Sequence, residues 1–272
     1  MVQLQQEQKR RQVEYHEREH YCADKPRRPD RSNPLVEFLN SYRLRKMVEI
    51  IGAPLDGKTA LSVCGGDGEE ADFLARKGAC VTVTDLSAAA VEAARLRNPA
   101  LRCLIMDAES LTFADRSFDW AIVREGLHHL ARPLKGLYEL ERVSREGFAI
   151  LEGQDSLAVR LLVKLGFADT RDPAGGYIYR FTRREVGKVF ASMQTLSHWC
   201  VHTAWLPYGN DLLRHFPKFR RFIYPLINTR FVVRVLSGRA GQWFLNTLFK
   251  GFNLLAGRWG NCLIVVAWKK PV

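Results

Sequence analysis

The chain is 272 residues long and carries 41 Lys and Arg against 29 Asp and Glu. A chain of that length buries a core without disulfide or metal staples, and a 47% hydrophobic content excludes wholesale disorder. The formal net charge of +12 points to an acidic partner: nucleic acid, anionic lipid, or a substrate bearing phosphate or carboxylate.

The first thirty-odd residues are polar. Lys9 to His20 is a candidate helix, broken by Lys25-Pro-Arg-Arg-Pro-Asp. Pro34 opens an amphipathic helix over Leu35 to Ile51, which Gly52 and Pro54 end. Strand and helix then alternate. Ala60–Cys64 is a buried strand, Glu69–Lys77 a helix stopped by Gly78, and Cys80–Thr84 a β-branched strand. Ser87 caps an Ala-rich helix that ends before Pro99. Leu101–Met106 and Phe118–Val123 are strands, Pro133–Val143 is a helix with proline in its first turn, and Gly147–Leu151 is a fifth strand. This alternation predicts a doubly wound α/β fold, a mostly parallel sheet covered on both faces.

After Gly153 the rhythm loosens. Leu157–Leu165 is a helix, and Thr182-Arg-Arg-Glu185 has the pattern of a capping box opening another. Leu196–Leu206 and Cys262–Trp268 complete seven strands. Between these two lies an insertion, residues 207–258, with nine Lys or Arg against the single acid Asp211. Its Gln242–Ala256 stretch sets Phe244, Leu248, Phe252 and Leu255 on one helical stripe. The stripe suits a hydrophobic acceptor pocket, an anionic membrane surface, or ordinary packing of an inserted helix pair.

The chemistry centres on the turn Cys64-Gly-Gly-Asp-Gly68 between the first strand and its helix. Glycines there let a ligand approach the backbone, and the helix start offers free N–H groups. Gly66 to Ala71 formally fits the dinucleotide pattern GxGxxA. Asp67, Glu69 and Glu70 crowd the turn, however, and would repel a pyrophosphate. S-adenosylmethionine carries a sulfonium and an ammonium instead, which acids favour. Asp85, ending the second strand, can accept from both ribose hydroxyls. Asp107, ending the third, can accept from the adenine amine, and only the S-adenosylmethionine reading gives it a task.

Leu61-Ser-Val-Cys-Gly-Gly-Asp-Gly68, Val83-Thr-Asp-Leu-Ser87, Met106-Asp-Ala-Glu109, Ser117-Phe-Asp-Trp120 and Leu127-His-His-Leu130 follow one another in order. Together they resemble the successive motifs of class I S-adenosylmethionine (SAM)-dependent methyltransferases, of the small-molecule, methyltransferase type 11-like kind. The resemblance covers about Leu35 to Glu152, with Cys262 to Lys269 as the last strand. It implies a Rossmann-like seven-stranded sheet. It also implies that Cys64, Gly65, Gly66 and Gly68 hold the methionine part, Asp85 the ribose, Leu86, Asp107 and Ala108 the adenine, and that Arg124 lines the pocket. The family usually has an acid where Ser62 stands and glycine where Cys64 stands, and Asp67 is the candidate to supply the missing charge.

Methyl transfer needs the acceptor held in line and, for a hydroxyl or ammonium, a base. His128 and His129 are the imidazoles on the loop leaving the fourth strand, with Glu125 and Glu152 as secondary candidates. The expected acceptor is small or lipid-like, anionic to suit the insertion, and methylated at oxygen. RNA is a weaker alternative: basic residues interleave with aromatics in Phe216-Pro-Lys-Phe-Arg-Arg-Phe222, yet Val123-Arg-Glu-Gly126 stands where an Asn/Asp-Pro-Pro-Tyr motif would. An NAD-dependent enzyme, told apart by which cofactor binds, and a binding-only protein of the same fold, kept open by Ser62 and Cys64, are further alternatives.

The six cysteines form no CxxC pair and no zinc spacing with histidine, so no metal is expected. No signal peptide or spanning apolar run is visible. The expectation is a cytoplasmic protein with peripheral contact to an anionic membrane. Residues 1–34 are read as a helical lid or tail and 35–272 as the cofactor-binding domain.

Overall fold

The structure is a computed structural model and describes residues 2–21, 33–166, 168–172, 174–206 and 229–271. The Lys25–Asp30 break and the Phe216–Phe222 run lie outside the described residues.

Seven strands form one sheet: β1 (Thr59–Val63), β2 (Cys80–Asp85), β3 (Arg102–Ile105), β4 (Phe118–Arg124), β5 (Ser144–Gly153), β6 (Leu196–Ala204) and β7 (Cys262–Lys269). Their order is β3-β2-β1-β4-β5-β7-β6. β1 pairs in parallel with both β2 and β4, and β7 runs antiparallel between β5 and β6. The order reverses at β1, so the crevice beyond the C-terminal ends of β1 and β4 is where such a sheet takes its ligand.

The central strands β1, β4, β5 and β7 are buried on both faces because alternate residues feed different cores. Ala60, Trp120, Ile122, Ala149 and Ile264 pack toward α2 (Pro34–Ile51), α3 (Glu69–Ala75) and α4 (Ala88–Arg97). Leu61, Ala121, Val123, Phe148 and Val265 pack toward α5 (Pro133–Val143) and, beyond α6 (Leu157–Lys164), α7 (Arg183–Ser192).

Local signals act as expected. Ser87 Oγ accepts from Ala90 N at 3.1 Å, and Pro133 opens α5. Thr182 Oγ1 accepts from Glu185 N at 3.0 Å while Glu185 Oε2 reaches back to Thr182 N at 3.4 Å, a complete capping box. Several boundaries differ: β5 runs past the expected Gly147–Leu151 at both ends, and two further differences have visible reasons. Strand β6 stops at Ala204, not Leu206, because the N–H groups of Trp205 and Leu206 turn to the side chains of Asn253 and Asn261. The N-terminal helix α1 spans Val2–His16, starting well before Lys9, and a π-helical turn extends it over Glu17–Tyr21. It has no apolar period to announce it; pairs such as Arg11–Glu7 at 2.9 Å support it locally.

The insertion contributes α8 (Arg230–Ser237) and α9 (Arg239–Ala256), followed by a 3-10 turn at Gly257–Trp259. Among the described residues, no helix is long and apolar enough to cross a membrane.

Trp120 is 1% exposed. It occupies room that Gly147 leaves: a side-chain carbon at Gly147 would lie 2.8 Å from the Trp120 ring and 2.3 Å from the Ala267 carbonyl. Gly147→Ala is therefore expected to lower the unfolding free energy by about 1–3 kcal/mol in urea denaturation.

Candidate active site

Strand β1 ends in a turn that only this residue pattern permits. Cys64, Gly66 and Gly68 have φ of 52°, 54° and 75°. A side-chain carbon at Gly68 would lie 2.9 Å from Ala94 Cβ, and one at Gly65 would lie 2.6 Å from Val83 Cγ1. The turn is thus pressed onto β2 and α4 with its backbone open on the outer side. The bulk of Cys64 is matched by Gly126 on the loop after β4, where a side-chain carbon would lie 2.4 Å from Cys64 Cβ. Burial pushes the Cys64 thiol well up, and neighbouring Asp85 adds to this. It sits there as an un-ionised wall.

Asp85 ties the turn to the second strand end. Its Oδ2 accepts from Gly66 N at 2.9 Å and its Oδ1 from Ser87 N at 3.0 Å. Burial raises its pKa against the pull of these N–H groups. A carboxylate has about four acceptor positions, so each oxygen keeps capacity for a hydroxyl. Leu86 is exposed next to it and Ala108 is buried. Asp107 takes Lys9 of α1 at 2.6 Å on Oδ2 and Glu109 N at 2.9 Å on Oδ1.

The acid missing at Ser62 is replaced, though not by Asp67. The Arg97 guanidinium claims Asp67, bonding both its carboxylate and its carbonyl. Glu70, 2% exposed, turns back from α3 so that Oε1 accepts from Ser62 Oγ at 2.9 Å. Its Oε2 has no hydrogen-bond partner among the described residues and lies 3.8 Å from Arg124 Nε. Burial raises the Glu70 pKa, with Arg124 and Ser62 opposing. Arg124 also meets Glu69 at 3.1 Å. Sequence reasoning missed Glu70; its signal was an acid in the first turn of α3 coinciding with the loss of one in β1.

The loop after β4 carries the histidines. Glu152, fully buried at the end of β5, accepts on Oε1 from Gly126 N (2.8 Å) and Leu127 N (2.7 Å). Its Oε2 lies 2.8 Å from His128 Nδ1. Burial alone would lower the His128 pKa, but the charge and hydrogen bond of Glu152 outweigh it and the net shift is upward. The His129 ring lies 4.0 Å from that of His128. Burial and the positive potential of His128 push His129 down. Its Nδ1 stands 3.5 Å from Asp172 Oδ2, too far for a good hydrogen bond. Burial would raise Asp172, yet contacts with His129, Gln12 and the Gly176 N–H hold it at about 2. Glu125 pairs with the buried Arg43 of α2, and its charge adds to the upward shift of His128. Asp172 and Arg43 belong to no motif and were not foreseen.

The N-terminal helix lies over these groups. Lys9 reaches Asp107 and also Glu109 (3.1 Å), and Gln12 bonds Asp172. The His16 ring meets that of His129 edge-on at 4.8 Å, and Glu17 accepts from Ser87 Oγ at 2.9 Å. The Tyr21 hydroxyl is 3.5 Å from where a side chain on Gly66 would start.

With this geometry in hand, comparison with known proteins is direct. Residues 61–151 match the family model described as a methyltransferase domain. These residues are a class I SAM-dependent methyltransferase domain. The chain is 33% identical over 141 residues to a demethylmenaquinone methyltransferase of Clavibacter sepedonicus, covering 51% of this chain and 58% of that protein. It is 39% identical over 103 residues to a ubiquinone/menaquinone biosynthesis C-methyltransferase of Paracoccus denitrificans, covering 35% and 41%. The chain thus spans about half the length of these relatives. The magnesium protoporphyrin IX methyltransferase of Synechocystis, solved with bound S-adenosylhomocysteine (SAH), shares the fold with a TM-score of 0.55 at 12% identity, covering 90% of each chain.

SAM is the cofactor of this methyltransferase domain, and the residues present fit it. The turn offers open backbone at two glycines of positive φ. The ends of β2 and β3 carry carboxylates, and Glu70 leaves a buried oxygen unbonded. That concentration of negative charge suits a sulfonium and an ammonium and opposes a pyrophosphate.

Ser62→Ala removes the hydroxyl that Glu70 Oε1 depends on. The expected cost is about 1–3 kcal/mol of unfolding free energy, and Ser62→Ala combined with Glu70→Gln should recover part of it in the same denaturation assay.

Proposed function

We propose that this protein transfers a methyl group from SAM to a hydroxylated ring of the quinol class carrying a lipid-like tail, at the surface of a membrane. The observation that carries the reading is the His128–Glu152 pair, which stands on the loop facing the glycine turn. In this reading the Cys64–Gly68 turn holds the methionine part, Asp85 the ribose, Leu86, Asp107 and Ala108 the adenine, and Arg124 the pocket wall. When bound, SAM supplies an electrophilic methyl group on a sulfonium.

The protein's own residues prepare the acceptor. Glu152 accepts a hydrogen bond from the Nδ1–H of His128, which leaves the Nε2 lone pair to take a proton from a ring hydroxyl. His129, pushed down and neutral, is the weaker base and forms the wall between His128 and α1. Removing the hydroxyl proton raises electron density on the oxygen and on the ring carbons beside it. The same base therefore serves either position, and oxygen was expected from the base alone. We assign the methyl to a ring carbon, which then loses its own hydrogen as a proton as the ring regains aromaticity, a choice supported by the name of the Paracoccus relative. α1 is proposed as a lid that shields the site from water.

Two measurements test this. Asp85→Ala is expected to weaken SAH binding at least about tenfold in calorimetry; an unchanged affinity would sink the site assignment. With a short-chain demethylated naphthoquinol and labelled SAM, a new carbon-bound methyl is expected by NMR. An oxygen-bound methyl would keep the site and overturn the position.

The pH dependence follows from the raised His128 pKa. The base is the neutral form, so kcat rises as pH passes upward through that raised value. Glu152→Gln withdraws the negative charge, lowers the His128 pKa and should move the rising limb to lower pH. His128→Ala is expected to cost about 10²–10⁴ in kcat and to abolish that limb.

A further inference from the structure

The α8–α9 pair presents a surface that the proposed chemistry does not use. The two helices turn on each other at Gly241, where a side-chain carbon would lie 2.2 Å from the Val235 carbonyl. The inner side of α9 anchors it: Leu245 and Phe249 pack on the core, with Phe249 meeting Tyr42 of α2 at 5.0 Å. Asn253 Oδ1 accepts from Trp205 N at 2.6 Å and its Nδ2 donates to Trp205 O at 3.0 Å. The stripe expected from sequence faces the other way.

Among the described residues, eleven of the seventeen large exposed apolar side chains lie on α8, α9, the turn that follows, and α6. Leu254 and Leu255 are 87% and 85% exposed, and Trp243 is 68% exposed. The apolar surface continues onto α6 because Ser156 Oγ, its cap, bonds the Trp259 carbonyl at 2.9 Å. Such a contiguous patch marks an interaction surface. Its occupant is indicated by charge. From Thr229 to Asn261 there is no acid, and Arg230, Arg234, Arg239, Lys250 and Arg258 are all exposed. Apolar side chains, exposed tryptophans and unopposed cations on one helix pair match an anionic lipid surface. A nucleic acid also attracts cations, but Leu248, Leu254 and Leu255 offer bases nothing to stack on.

We propose that α8 and α9, continued by α6, form a docking face for an anionic phospholipid bilayer, lying in its interface without crossing it. This deepens the reading of a lipid-like acceptor and rests on it for its purpose. Phe249 of the docking pair touches Tyr42, and the next residue of α2, Arg43, holds Glu125 at the candidate site. The helix pair is thus anchored on the same helix, α2, that holds Glu125.

The test is co-sedimentation of the full chain with phosphatidylcholine vesicles, with and without phosphatidylglycerol, in the absence of cofactor and acceptor. Binding is expected only with phosphatidylglycerol and should weaken as salt rises. Phe244→Glu with Leu248→Glu should reduce it at least about tenfold. Arg230→Ala with Arg234→Ala should reduce it about 25-fold, at roughly fivefold per cation. SAH affinity, measured by calorimetry on the same samples, should not change. Absence of binding, or binding indifferent to both double variants, overturns the proposal. So does a dimer that the Phe244/Leu248 variant dissociates, or an RNA complex with the same sensitivity. Vesicle binding by a protein that fails to bind SAH would instead overturn the methyl-transfer reading and leave the docking face standing.

Discussion

A carboxylate with no access to water must find all its partners inside the protein, and Glu152 finds three on one loop. Gly126 N, Leu127 N and His128 Nδ1 all converge on it. The loop after β4 is therefore wrapped around the end of β5 and has little freedom of its own. That wrapping brings Gly126 against Cys64, fixes the tautomer of His128, and aims His129 at α1. Truncating the Glu152 side chain would release the loop, the turn it presses on and His128 together.

The other acids of the site solve a similar problem in different ways. Asp67 and Glu69 are matched by arginines from α4 and β4, and Asp107 by Lys9. Asp85 is held by backbone N–H groups alone. Glu70 is the least satisfied, with one oxygen on Ser62 and the other near Arg124. A charge moved from a strand to the helix facing it keeps the local field while changing which residue carries it.

The sheet and its caps were legible because their causes are local. Ser87, Pro133 and the Thr182–Glu185 box act within four residues, and buried strands show as unbroken apolar runs. The order of motifs placed the glycine turn, Asp85 and the histidines at one edge. Glu70, Arg43 and Asp172 were not legible, since each is defined by a partner 8 to 82 or more positions away. Helix α1 was legible only in its second half, because its contacts are polar and reach Asp107, Asp172 and Ser87 across the fold. The stripe on α9 was visible, but its direction was not. Asn253 turns the opposite side inward by bonding Trp205.

The antiparallel pairing of β6 with β7 places Ala204 opposite Cys262. Everything between them leaves and re-enters the sheet at one point, as the tip of a greatly enlarged hairpin. Its length and composition can change without disturbing strand register, since the ladder on either side is already closed. The segment proposed to meet a membrane can therefore vary in sequence, while the turn and the loop around Glu152 stay under tight geometric demands. A graft of this segment between relatives would carry the proposed docking face with it and leave the ladder as it is.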